Sequence, residues 1–226
     1  MAIRGDRQGV RLDPAAYDAD VSEQAYFVSP PEGPGRGVLV LTSWWGLTSF
    51  FRRFADRLSD EGYTVLVPDI TFGETFDDPV EARDHLAAAD PDRLAALTLQ
   101  SARLLHDKTG GRPISVVGFS MGASLGLWAS VRLPDTIDRV AAFYGAQTID
   151  FDGATSRYQL HMVADDPMVH SDESVFMEAT MGLVGLEVES YLYPDVGHWF
   201  FEEGREGFDA DAATLAWGRL KRFLSE

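Results

Sequence analysis

At 226 residues and 45% hydrophobic content, the chain is long enough to bury one sizeable core and falls in the range of a single α/β domain. Its 36 acidic against 19 basic residues leave a formal charge of -17 with no Lys/Arg-rich run, which argues against nucleic acid and anionic membrane surfaces as partners. Without cysteine there is no disulfide framework, thiolate metal site or cysteine nucleophile; Met1 to Arg7 lacks the apolar core of a signal peptide, no run approaches a membrane span, and a cytoplasmic location is expected.

From Met1 to about Val21 the chain is polar and weakly patterned, so residues 1–24 are expected to form a peripheral segment ahead of the body. Order begins with an edge strand at Ala25 to Val28, closed by the turn-rich run Pro30 to Gly35. Gly37 to Thr42 is a continuous apolar run, as expected of a strand covered on both faces of a parallel sheet. A helix follows, with Phe50, Phe51, Phe54, Ala55 and Leu58 on one face and Gly62 past its end. Tyr63 to Val67 is the next buried strand, stopped by Pro68-Asp69, and Gly73 to Asp78 is a loop. Between Val80 and Thr109 the pattern predicts two helices broken at Ala89-Asp90-Pro91, the second longer. Ile114 to Val117 is a strand, and Ala123 to Val131 a helix of small residues suited to close packing. Strands are predicted at Arg139 to Tyr144, Tyr158 to Val163 and Leu186 to Tyr193, with a helix from about Asp172 to Gly182 between the last two. A closing helix carries Leu215, Leu220, Phe223 and Leu224 on one face. Repeated strand-helix alternation predicts a mostly parallel central sheet flanked by helices on both faces.

One motif stands at a strand-to-helix junction: Gly118-Phe119-Ser120-Met121-Gly122, the G-x-S-x-G pattern of a nucleophile elbow. A sharp turn holds such a serine in a strained conformation, and small residues two positions either side let the backbones pass. Serine needs a histidine to take its proton and a carboxylate to orient that histidine. In this class the chain order is Ser, acid, His, which removes His85 and His106. His161 lies inside an apolar strand and His170 crowds the acid, leaving His198, which follows the last strand across Pro194 to Gly197. The acid is Asp166, with Asp165 its neighbouring alternative, in Ala164-Asp165-Asp166-Pro167. The oxyanion hole is expected to use the Met121 amide and one amide from Ser43-Trp44-Trp45-Gly46.

These segments together resemble the dienelactone hydrolase family of α/β-hydrolases, from about Gly37 onward. Ser43-Trp44-Trp45-Gly46-Leu47, Glu61-Gly62-Tyr63 with Val67-Pro68-Asp69, Asp166-Pro167, and Tyr193-Pro194-x-x-Gly197-His198 carry the resemblance. It implies a single α/β-hydrolase domain over 1–226, with Ser120 as nucleophile, Asp166 as acid, His198 as base, and Trp44 and Met121 as oxyanion donors. Two departures qualify it. The best-known members use cysteine in the elbow and glutamate in the first loop, where this chain has Ser120 and Ser43. Dienelactone-cleaving members also place an arginine shortly after the histidine, where this chain reads Trp199-Phe200-Phe201-Glu202-Glu203, and a carboxylate there is expected to repel an anionic lactone. Arg205 and Arg83 are the cations nearest to a compensating position.

The expected function is therefore Ser-His-Asp hydrolysis of a carboxylic ester or lactone, without metal or organic cofactor. Ser43, Trp45, Trp199 and Phe200 are expected to help form an apolar substrate pocket. A small-molecule substrate is the expected partner, with the protein a monomer or homodimer. Thioester cleavage or acyl transfer on the same triad, and a non-catalytic binding protein on a hydrolase scaffold, are the rival readings.

Overall fold

A computed structural model describes residues 25–226. The expectation of a peripheral segment at 1–24 lies outside the described residues. Among the described residues seven strands and six helices follow one another as β1 (Ala25–Val28), β2 (Gly37–Leu41), α1 (Ser49–Asp60), β3 (Thr64–Pro68), α2 (Pro79–Ala88), α3 (Pro91–Lys108), β4 (Ile114–Phe119), α4 (Met121–Arg132), β5 (Ile137–Phe143), β6 (Arg157–Val163), α5 (Ser171–Leu183), β7 (Val188–Tyr193) and α6 (Ala210–Ser225). They form one sheet in the order β1-β3-β2-β4-β5-β6-β7. Only the β1 edge runs antiparallel, against β3; the other pairs are parallel.

Alternation along the strands separates two apolar layers, because successive side chains leave a strand on opposite faces. Leu39, Leu41, Val116 and Leu160 join α3, α4 and the Met177 and Met181 side chains of α5 in one layer. Val38, Val40, Val117 and Phe119 join Phe51, Phe54 and Leu58 of α1 and Leu220 and Phe223 of α6 in the other. Central strands β2, β3 and β4 are buried along their whole length, which is why they read as unbroken apolar runs.

Helix punctuation follows local chemistry. Asp78 caps α2 by accepting from the amides of Val80 and Glu81, and Asp90 caps α3 by accepting from Asp92. Each is followed by proline at the first helical position, so the break between the two helices lies where Ala89-Asp90-Pro91 predicts it. Among the described residues no helix is long and apolar enough to cross a membrane. Because the strands run parallel, the ends of β2, β4, β5, β6 and β7 all deliver their loops to the same edge of the sheet.

Candidate active site

β4 ends at Phe119 and α4 begins at Met121, so Ser120 alone makes the turn, at φ 53° and ψ -114°. A non-glycine residue in that region is strained and persists only where its surroundings fix it. Here the Ser120 amide donates to the Phe143 carbonyl at 2.9 Å, and the Ser120 carbonyl accepts from Ala123 and Ser124 at 3.0 and 3.2 Å. The flanking glycines are required by space: a Cβ on Gly118 would lie 2.4 Å from the Gly122 carbonyl oxygen, and one on Gly122 would lie 2.2 Å from that of Leu41.

Ser120 Oγ lies 2.8 Å from His198 Nε2, and His198 Nδ1 lies 2.7 and 2.9 Å from the two carboxylate oxygens of Asp166. The His198 and Asp166 side chains are buried, while Asp165, the alternative acid, is exposed and turned outward. Asp166 Oδ1 also accepts from the amides of Met168 and Val169, which helps hold the carboxylate against the imidazole. The Nδ1 proton therefore sits toward Asp166, leaving Nε2 to accept from the serine hydroxyl.

The histidine inside β6 has a structural setting. His161 is fully buried, stacked on Phe143 with centroids 4.1 Å apart, and bonded through Nδ1 to the Tyr193 hydroxyl and through Nε2 to Gln159 Oε1. Burial pushes its pKa down to about 3, with Arg219 adding to the effect, so it stays neutral.

Ser120 and His198 open on a cavity of about 180 Å³ whose wall includes Trp44, Met121, Leu125, Gln147 and Met168. Trp44 and Met121 thus border the same space as the serine. Neither of their amides donates to a backbone carbonyl in the turns, loops and caps of the described residues. No lysine or arginine among the described residues lines this cavity, and its one carboxylate is Glu173.

The expected pocket residues are placed differently. Ser43, Trp45 and Phe200 are almost wholly buried beneath the site and do not line the cavity, and Trp199 is likewise absent from its wall. Trp45 and Trp199 instead pack with Trp44 into a cluster, with ring centroids 5.1 to 5.8 Å apart. Phe200 stacks on Tyr193 at 4.5 Å, which anchors the loop after β7 to the sheet. Arg205 lies 4.2 Å over the Trp45 ring and pairs with Asp77, and Arg83 pairs with Asp84, so neither cation faces the serine. Asp77, Glu202 and Arg205 are among the residues that line a larger cavity of about 440 Å³ at the start of α1, whose wall includes none of Ser120, Asp166 and His198.

Glu202 departs furthest from expectation. Instead of facing incoming substrate it is 1% exposed, accepting from Ser43 Oγ at 2.8 Å and from the Tyr144 hydroxyl at 2.9 Å. Burial pushes its pKa up to about 7, against the pull of those two donors and Arg205. Tyr144, also missed in the sequence, stands at φ 40° just past β5, fully buried, with its ring 5.0 Å from that of His198. Its hydroxyl is pushed well above the usual range, by burial first and then by Glu202.

Comparison with known proteins agrees with this architecture. The model of the dienelactone hydrolase family matches residues 24–226. "Protein usf" of Aquifex pyrophilus is 27% identical over 212 residues, covering 88% of this chain and 92% of that one. Among solved structures, the dienelactone hydrolase-like promiscuous phosphotriesterase P91 from metagenomic libraries superposes with a TM-score of 0.75 at 20% identity, covering 89% of this chain and 91% of its own. A dienelactone hydrolase from Anabaena variabilis ATCC 29413 has a TM-score of 0.65 at 16% identity, with 89% and 90% covered.

Proposed function

Given that the chain belongs to the dienelactone hydrolase family, we propose that it is a serine hydrolase that cleaves a neutral carboxylic ester or lactone through an acyl-enzyme. The observation that carries this reading is the unbroken line of hydrogen bonds from Ser120 Oγ to His198 Nε2 and from His198 Nδ1 to Asp166. As Ser120 Oγ attacks the carbonyl carbon, its proton passes to His198 Nε2 and the carbonyl oxygen becomes an oxyanion. In this reading the amides of Met121 and Trp44, two residues that border the same cavity, receive that charge. His198 then gives its proton to the leaving alkoxide, and water, activated by the same imidazole, frees the acid and restores the serine.

The cavity wall argues for the substrate's character. Its apolar lining, the lack of a lysine or arginine among the described residues of its wall and the presence of Glu173 disfavour an acyl group carrying its own carboxylate. A volume of about 180 Å³ suits a short acyl chain.

The test uses aryl esters and lactones of short neutral acids beside the corresponding carboxylate-bearing compounds, with a fluorophosphonate probe to mark the nucleophile. Wild type is expected to label at Ser120 and to favour the neutral esters, while Ser120→Ala loses both labelling and turnover. Undiminished ester cleavage by the alanine variant refutes the assignment.

A further inference from the structure

We propose that Glu202 is a positioning residue that clamps the loop carrying the Trp44 amide to the loop carrying His198, through its paired hydrogen bonds with Ser43 and Tyr144. The inference rests on the serine-hydrolase reading above and adds to it the device that sets the spacing between its two halves.

Three loops meet at this one carboxylate. Ser43 lies after β2 and immediately before Trp44; Tyr144 lies after β5 and borders the cavity beside Ser120; Glu202 lies in the segment after β7, four residues beyond His198. Ser43 and Tyr144 each donate to a different oxygen, so the carboxylate holds both from opposite edges. The Trp44 loop and the His198 loop also meet through ring contacts, Trp44 with Trp199 at 5.8 Å and Trp45 with Trp199 at 5.1 Å, and through Arg205 over Trp45. Ring contacts resist separation but tolerate sliding, whereas hydrogen bonds fix distance and angle.

Packing alone gives no account of a carboxylate here. An apolar side chain of similar size would fill the space but leave the buried hydroxyls of Ser43 and Tyr144 without their acceptor, so what the carboxylate adds is the pair of directional bonds. Acyl transfer, in contrast, needs the oxyanion donor and the base held within a fraction of an ångström relative to one carbonyl, and small misplacements cost orders of magnitude in rate.

The experiment compares Glu202→Gln and Glu202→Leu, with Ser43→Ala, Tyr144→Phe and the double variant Ser43→Ala/Glu202→Leu. Each is assayed for kcat and KM on a short aryl ester, with rates expressed per fluorophosphonate-titrated site. Leucine keeps the volume and removes both bonds, so kcat per site is expected to fall about 10- to 100-fold with KM changed much less. Glutamine can accept from one hydroxyl and donate to the other, so most of kcat is expected to return. The double variant is expected to lose no more than Glu202→Leu alone, because both changes break one network. Wild-type kcat per titrated site in Glu202→Leu, or fully additive losses, overturns the clamp. Should Glu202→Leu not fold, the Ser43→Ala and Tyr144→Phe variants decide: several-fold loss of kcat in each supports the clamp, and no loss in either overturns it. If wild type neither labels nor turns over esters, the parent reading fails; if wild type does so and Glu202→Leu matches it, only the clamp fails.

Discussion

Asp166 spends its two oxygens on different tasks. Oδ1 takes the Met168 and Val169 amides as well as lying 2.9 Å from His198 Nδ1, while Oδ2 is 2.7 Å from that nitrogen. An asparagine here would keep its single carbonyl oxygen on the two amides and turn its NH2 toward His198. That would move the imidazole proton to Nε2, where it faces Ser120 Oγ and blocks proton acceptance. Under the proposed mechanism Asp166→Asn is therefore expected to fold and bind substrate while kcat falls by roughly 10³ to 10⁴, the size of this tautomer defect in Ser-His-Asp enzymes. Saturation kinetics on an aryl ester check it, and a kcat within tenfold of wild type would show that Asp166 does not orient the base. The choice between Asp165 and Asp166 was open in the sequence because both carboxylates follow the same strand; only the loop's path decides which one turns inward. Glu202 was misread for a related reason. Its partner Ser43 is 159 positions away, and a linear sequence shows a charge beside an aromatic run without showing that the charge is internal.

At the scale of elements, β2, β4 and α4 form a close-fitted unit in which small residues replace side chains with backbone contact. The atoms nearest a Cβ on Gly122 are the Leu41 oxygen and carbon and the Thr42 oxygen, at 2.2, 2.5 and 2.5 Å, all main-chain atoms that no rotamer change can move. Gly122→Ala must push α4 off β2, carrying the Met121 amide with it. Such overpacking costs about 1–3 kcal/mol, a fall in Tm of roughly 2–12 °C for a chain of this size, and kcat on the aryl ester is expected to drop as well. Gly182→Ala is the control: it lies in α5 with nothing within 4 Å of the added carbon, so Tm should hold or rise slightly. Thermal melts of both variants check the pair, and equal melting temperatures would refute the close fit at the elbow. This unit was legible in the sequence because each part carries its own signal, namely an apolar run for β4, two glycines around one serine, and a small-residue helix. Strand and helix ends were legible to within a few residues wherever glycine, proline or a capping aspartate stood there. The pocket wall was not, since Leu125, Gln147 and Met168 come from three separate segments with no shared pattern.

Over the whole molecule, two fully buried titratable groups tie stability to pH in opposite senses. Glu202 has its folded pKa raised to about 7 from 4.5, so the stability it contributes is present below pH 4.5 and is lost as pH rises to about 7. His161 has its folded pKa lowered to about 3 from 6.5, so its contribution is present above pH 6.5 and is lost as pH falls toward 3. Each spans on the order of a few kcal/mol at about 1.4 kcal/mol per pKa unit. Between pH 4.5 and 6.5 the two slopes oppose, and these groups together leave stability nearly flat. Glu202→Gln removes one side of the balance. The wild-type advantage in stability over this variant is therefore expected to shrink steadily between pH 5 and pH 7. Denaturant unfolding of both proteins at pH 5, 6 and 7 measures that difference directly. A gap that stays constant across the three values would mean that Glu202 ionises as readily inside the fold as in the unfolded chain, and that its burial among Ser43 and Tyr144 leaves its proton affinity unchanged.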